Sequence, residues 1–378
     1  GNGVISGAVR LEGCTLKASG SPTISGDITQ YDDATIEVAS GQTLNYSGAS
    51  LNLGANKLTL TGGGIFNNSY ALVLNDEDSL LALSGIGEIR DVKATTEAKS
   101  GKGVQVSASA SDSGSIGIFN LTAKSYLDIA ADKTLAGQVK LQSSADLELS
   151  GSGEYLGGIE LAGGKFRVDS DRDLTGTVSL SASSEIIVPQ GYSLDLNQSG
   201  GLDLGGDILS LNGTGALKFK NSIDITNGEL KVSSGILNFA SGGSVTELTL
   251  ESATLVLSED LTVSDSLKTS GTDPTLQLNG NTLDLSGTGI QMQLGTGLVL
   301  DDVSTGANTG LILTADATLI RGSPFTLGSI NLQNKALTLG SGTSDMTVTG
   351  AVTFDNSSSQ ILTGDADLTL QSASVLNL

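Results

Sequence analysis

Apolar and polar residues alternate along this chain in very short runs. Leu58-Thr59-Leu60, Leu127-Asp128-Ile129, Val178-Ser179-Leu180 and Leu283-Asp284-Leu285 are typical. Each run places two apolar side chains on one face of a strand. The gaps are filled by Gly, Asn, Ser and Asp, the residues of turns. No stretch holds a 3.6-residue period, so the pattern predicts short β-strands and excludes helix.

The strands recur. Leu127-Asp128-Ile129, Leu135, Val139-Lys140-Leu141 and Leu147-Glu148-Leu149 return 39 residues later. The later set is Phe166-Arg167-Val168, Leu174, Val178-Ser179-Leu180 and Ile186-Ile187-Val188. A half-way copy (Leu147-Glu148-Leu149, Leu156, Ile159-Glu160-Leu161) sets the unit at 19 to 20 residues. That unit holds two strands with paired apolar positions and a short third side marked by a single Leu. In a second motif two such pairs lie seven residues apart. It covers Leu51 to Leu60, Leu202 to Leu211, Leu276 to Leu285 and Ile330 to Leu339, with turn formers such as Gly54-Ala55-Asn56 between the pairs.

A coil that short cannot bury its own apolar side chains. Stacking coils about 4.8 Å apart supplies the core and pairs the backbone. The predicted fold is therefore all-β, a single-stranded parallel β-helix (β-solenoid) running continuously over residues 1–378. It would have about 19 coils of about 20 residues and a length on the order of 90 Å. An antiparallel sandwich or barrel also has short alternating strands, but nothing in it requires a near-copy every coil. The expected inward set is Leu127, Ile129, Leu135, Val139, Leu141, Leu147 and Leu149, with Phe166, Val168, Val178 and Leu180 on their equivalents.

Residues 93–115 fit the pattern least. They read as an irregular polar coil, or as a projecting loop carrying Lys93, Lys99 and Lys102. Neither end reads as a polar cap: Val4-Ile5 and Val375-Leu376 are ordinary strand. An uncapped coil exposes core and unpaired backbone, so the expectation is continuation, either into more solenoid or onto another copy. The chain starts at Gly1 without methionine or a signal peptide, as a mature form or a segment of something longer would.

Composition adjusts this picture in three places. The net charge is −22 with a pI of about 4.1, which repels nucleic acid and anionic membranes. No apolar run approaches the length of a membrane span, so membrane insertion is not expected. The single cysteine, Cys14, cannot close an internal disulfide. Between Leu11 and Leu16 it reads as a small buried residue.

The chain has no histidine, which removes Ser-His-Asp and Cys-His catalysis and His-ligated zinc. Phosphate-loop and dinucleotide fingerprints are absent as well. Asp32-Asp33 and Asp301-Asp302 are paired acids, but adjacent residues on a strand face opposite ways. Such a pair does not set two carboxylates across a sugar. Asp169-Ser170-Asp171-Arg172-Asp173 resembles the start of a calcium loop, yet Leu174 stands where the turn glycine belongs and Arg172 adds the wrong charge. Asn75-Asp76-Glu77-Asp78 reads as an exposed acidic turn. Asn-x-Ser/Thr sequons at Asn45, Asn67, Asn120, Asn197, Asn212 and Asn356 are frequent by chance in such a composition. Phe66-Asn67-Asn68, Phe219-Lys220-Asn221 and Phe354-Asp355-Asn356 read as corners in which Phe caps the core and Asn bends the chain. No catalytic residue, metal ligand or cofactor is assigned.

The Leu-x-Leu runs, as at Leu202 to Leu211, and the segment ATIEVASGQTL at 34–44 resemble the passenger regions of bacterial autotransporter adhesins and haemagglutinin-like surface proteins. The resemblance covers nearly the whole chain in pattern, without a signature motif. It implies a right-handed parallel β-helix exported across an outer membrane, and carries over no site residues. The function expected is an extracellular, cell-surface structural or adhesive element, not an enzyme: an adhesin stalk, or a subunit of a surface fibre, sheath or layer. Its expected partners are itself, continuing solenoid, or a cell-surface or polysaccharide receptor. The alternatives are a carbohydrate-active β-helix enzyme or tailspike, and a glycan-binding module.

Overall fold

Alternating runs this short pair side by side only if the chain keeps returning to the same edge in the same direction. In the computed structural model it does so: among the described residues every pairing between strands is parallel and no helix occurs. The structure describes residues 2–106, 114–270, 274–277, 279, 281, 283–284, 291–294, 303–304, 310–313, 316–319, 325–339, 345–354, 359–363, 367–370 and 375–377. The architecture is a parallel β-solenoid. Its contacts fall into two compact units, residues 1–187 and 188–378.

In the first unit one ladder starts with Thr15–Ala18, Ala34–Val38, Lys57–Thr61, Leu80–Ser84 and Gly103–Val106. It continues through Lys124–Ile129, Asp146–Gly151, Lys165–Val168 and Ser184–Ile187. A second ladder includes Thr23–Ile24, Thr43–Tyr46, Ile65–Asn68, Glu88–Ala94, Gly114–Leu121, Thr134–Gln142, Gly158–Ala162 and Val178–Ala182. Short strands such as Ile28–Gln30, Leu51–Asn52 and Leu72–Leu74 make the third side. In the second unit two sides merge into long bent strands, Ile223–Val232, Gly243–Glu251 and Leu261–Ser270, with register shifts between Ile225 and Glu229 and between Val245 and Glu247. Beside them run Ser193–Leu196, Ala216–Phe219, Gly235–Phe239 and Ala253–Leu257.

Coil length varies more than the sequence repeat suggests. Gly235 pairs with Ala253, a step of 18 residues, whereas Glu88 pairs with Ser115, a step of 27. Most steps exceed 20, so the chain makes fewer coils than the expected number of about 19. Corners absorb the extra residues because they lie outside the ladders.

The predicted inward set is buried, with one exception. Leu127, Ile129, Leu135, Val139, Leu141, Leu147, Leu149, Phe166, Val168 and Val178 are each at most 4% exposed. Leu180 is only half-buried, next to a register shift that follows its pairing with Leu161. Burying one such Leu or Phe stabilises by roughly 1.5–3 kcal/mol. The recurring two-pair motif also points inward: Leu51, Leu53, Leu58 and Leu60 are buried around a turn at Gly54. Leu202, Leu204, Leu209 and Leu211 repeat the arrangement, as do Ile330, Leu332, Leu337 and Leu339. In the remaining copy Leu283 is buried and Leu276 half-buried, and Leu278 and Leu285 lie outside the described residues.

Three sequence assignments are corrected. First, Val139, Ile159 and Val178 stack as the 39-residue copy requires, and so do Leu149 and Val168, but Leu127 pairs with Leu149 where the copy sets it on Leu147. This strand is therefore two residues out of the predicted register. A two-residue slip keeps every side chain on its face, so the alternation could not detect it. Second, Leu156 is 42% exposed and Tyr155 takes the inward corner beside Leu135. Third, Cys14 is exposed, because it follows the turn at Gly13 before the next strand begins at Thr15.

The Tyr155 corner has a counterpart. Tyr46-Ser47-Gly48 and Tyr155-Leu156-Gly157 share a Tyr-x-Gly pattern. A Cβ on Gly48 would lie 2.5 Å from the Gly26 carbonyl oxygen, and one on Gly157 would lie 1.8 Å from that of Gly137. Backbone thus packs directly on backbone at these corners. The tyrosine closes each: Tyr46 Oη donates to Ala49 O (2.5 Å) and accepts from the Ile28 N–H (3.1 Å). Tyr155 Oη lies 3.0 Å from the carbonyl oxygens of both Gly137 and Gly158. Burial pushes the Tyr155 phenol up from its ordinary value. Tyr155→Phe is expected to lower stability by about 1–3 kcal/mol, since it removes the one hydroxyl donor that these two carbonyls share. The wild-type chain should in turn lose stability as pH rises above about 10, where the unfolded phenol ionises and the folded one does not. Alkaline denaturation of the two proteins checks both; equal alkaline slopes would exclude Tyr155 as the titrating group.

Candidate functional site

The residues singled out for chemistry go mostly into turns. Asp32 and Asp33 are exposed, and their carboxylates bind backbone: Asp32 Oδ1 accepts from the Asp33 N–H (2.8 Å), and Asp33 Oδ1 from the Lys57 N–H (2.7 Å). Asp301 and Asp302 lie outside the described residues. In the acidic turn Asn75 to Asp78, Asp76 Oδ1 accepts from the Asp78 N–H (3.0 Å), and Ser79 Oγ accepts from the Asp76 N–H (3.0 Å). Lys99, 21 residues further on, reaches Glu77 at 2.8 Å and Asp78 at 2.7 Å. Its hydrogen bond holds the Asp78 carboxyl below its usual range. Lys93 sits within a strand, opposite Val73 and Asn120. Residues 107–113 are outside the described set.

Arg172 explains the calcium-like run. Its side chain is 5% exposed; it donates to the carbonyl oxygens of Gly153 (2.8 Å) and Gly151, and lies 3.7 Å from Asp169. The arginine holds a corner one coil back, and burial lowers its pKa. Among the described residues no three His, Cys, Asp or Glu side chains are grouped to hold a metal ion. The Phe-x-Asn corners resolve individually. Phe66 and Phe219 are fully buried, Phe66 stacking on Tyr46 and Phe219 on Phe239. Asn68 is fully buried; it donates to Tyr70 O and Asp91 O and accepts from the Arg90 N–H. Phe354 is half-buried, and Asn356 lies outside the described residues.

Outward side chains engage neighbours one coil away. Lys17 pairs with Glu37 at 2.7 Å, Lys140 with Glu160 at 2.5 Å and Lys165 with Glu185 at 2.8 Å. Each is a direct rung partner in its ladder. Two sequon asparagines do the same: Asn67 Nδ2 donates to Asn45 Oδ1 at 2.8 Å. Each exposed pair is worth only about 0–1 kcal/mol, but like charges at the same positions would oppose the register.

One concavity in the second unit was not anticipated. It measures about 750 Å³ and is lined by Asp203, Asp207, Asn227, Glu229, Thr246 and Glu247, among others. Beyond the register shift between Ile225 and Glu229, Glu229 sits directly beside Glu247 on the neighbouring rung. Lys268, 2.9 Å from Glu247, offsets the like charges, and that bond raises the lysine's pKa. The only sequence signal was the glycine-rich turns at Gly205-Gly206 and Asn227-Gly228.

No protein-family model matches the chain, and no curated protein and no solved structure shows significant similarity to it.

Proposed function

We propose that this protein is an extracellular structural or adhesive solenoid: the stalk of a surface adhesin, or a subunit of a surface fibre, sheath or layer. The observation that carries this reading is the direction of its outward chemistry. Lys17–Glu37, Lys140–Glu160, Lys165–Glu185 and Asn45–Asn67 all bind along the stack, rung to rung. They hold the shape of a repetitive element and do not converge on a point where a substrate would sit. The resemblance to autotransporter-type passengers agrees with the architecture, and with an exported location. The acidic balance suits a soluble surface facing water.

The test combines place and activity. Immunogold labelling of intact cells with negative-stain imaging should find the protein outside the cell, in extended assemblies. A reducing-sugar assay on acidic polysaccharides should find no release. Label confined to the cell interior would overturn the surface role. Turnover that disappears in an Asp32→Asn or Asp301→Asn variant would replace it with a carbohydrate-active enzyme.

A further inference from the structure

Two neighbouring columns on the outer face of the first unit alternate in character. Rung partners place Lys124, Asp146, Lys165 and Glu185 in one column. They place Tyr126, Glu148, Arg167 and Ile187 in the next. Rungs about 4.8 Å apart make this strip about 14 Å long. The first column reads plus, minus, plus, minus along the axis. Reversed, it reads minus, plus, minus, plus.

An isologous contact requires a surface complementary to itself. A two-fold axis along the strand direction, between the Asp146 and Lys165 rungs, makes this strip so. It sets Lys124 against Glu185 of a second copy, and Asp146 against Lys165. In the neighbouring column Glu148 meets Arg167; Tyr126, only 8% exposed and lying under the Lys124 ammonium, stays packed within its own chain. The six charged side chains sum to zero, on a chain whose net charge is −22. Copies repel one another over most of their surface, so a neutral, sign-alternating strip is where they can approach.

We propose that this strip docks a second copy of the chain, giving an antiparallel lateral dimer. The existing pairs do not prevent it. Lys165, 2.8 Å from Glu185 in its own chain, is still about half exposed, and an ammonium has three donors. Arg167 lies 3.8 Å from Asp146, a loose contact that leaves most of its guanidinium fork free. A strip of two columns is small for an interface, so the dimer is weak and salt-sensitive.

Sedimentation velocity of the full chain tests this. Dimer should form at low ionic strength and dissociate in half-molar salt. Lys124→Glu/Lys165→Glu should be monomeric, and so should Asp146→Lys/Glu185→Lys. An equimolar mixture of the two should associate at least about tenfold more tightly than either alone, because only the mixture restores opposite signs. Circular dichroism establishes that both variants are folded. Should either not fold, single cysteines in a Cys14→Ser background give an independent readout. Lys124→Cys should cross-link to Glu185→Cys on another chain, and not to itself, since the antiparallel register separates two copies of residue 124 by three rungs. A chain that stays monomeric at low salt would overturn the proposal. So would a dimer indifferent to charge reversal, a mixture that does not recover association, or cross-linking of Lys124→Cys to itself in preference to Glu185→Cys.

Discussion

Replacing Leu147 with aspartate is expected to destabilise the first unit by about 3–5 kcal/mol, because it combines a lost apolar side chain with a buried, unpaired charge. Leu147 is 1% exposed and lies between Ser125 on the rung before and Phe166 on the rung after. A carboxylate there loses the apolar contacts and enters a site without a cation. Leu147→Ala should cost less, about 2–4 kcal/mol, because it leaves a cavity without a charge. In a solenoid each coil touches only its neighbours, so the damage should be local. Hydrogen exchange should show protection falling first in Lys124–Ile129, Asp146–Gly151 and Lys165–Val168. Equal destabilisation by the two substitutions would show that residue 147 reaches water. Uniform loss across residues 1–187 would show that the unit unfolds as one block instead of coil by coil.

The second large effect is expected at Gly137. Its φ is 124°, and a Cβ there would lie 1.6 Å from the Ile116 carbonyl oxygen. The obstacle is backbone, which cannot rotate away as a side chain would. Gly137→Ala must push two rungs apart at a corner that Tyr155 also closes, and should cost about 3 kcal/mol or more. Gly41 is the control. Its φ is 72°, with nothing within 4 Å of the added Cβ. Gly41→Ala should cost only the left-handed backbone penalty, about 1–2 kcal/mol. Chemical denaturation of the pair separates conformation from collision; equal losses would mean that the rungs at Gly137 are not in close contact.

The outer strip and the core make different demands on the stack. Core burial fixes which face of each strand turns inward, but it tolerates a slip of two residues along the strand. Rung-to-rung pairs do not. Moving Asp146–Gly151 by two residues would set Glu148 in place of Asp146 against Lys124, and would leave Arg167 without its present rung partner Glu148. Individually weak pairs can thus select one register among several that bury the same side chains.

What the sequence by itself determined is the architecture and the inward face. Alternation over three to five residues, repeated at a nearly constant interval with turn formers between, permits little else than a parallel stack. The side chains of Leu51, Leu53, Leu58 and Leu60, or of Val139, Ile159 and Val178, could be assigned to the core from spacing alone. Only the tertiary structure decided the register, the corners and the juxtapositions on the surface. A period of two is unchanged by a shift of two, so Leu127 was matched one alternation away from its true partner. At corners the alternation stops. Tyr155 and Leu156 could not be ranked until the backbone contact at Gly137 left room for one ring and a use for its hydroxyl, and Cys14 fell on a turn. The neighbours that create the acidic concavity and the alternating strip are separated by a full coil, and among the described residues coils run from 18 to 27 residues. Which charge meets which depends on the length of the corner between them, and corner length leaves no mark on the pattern of apolar positions.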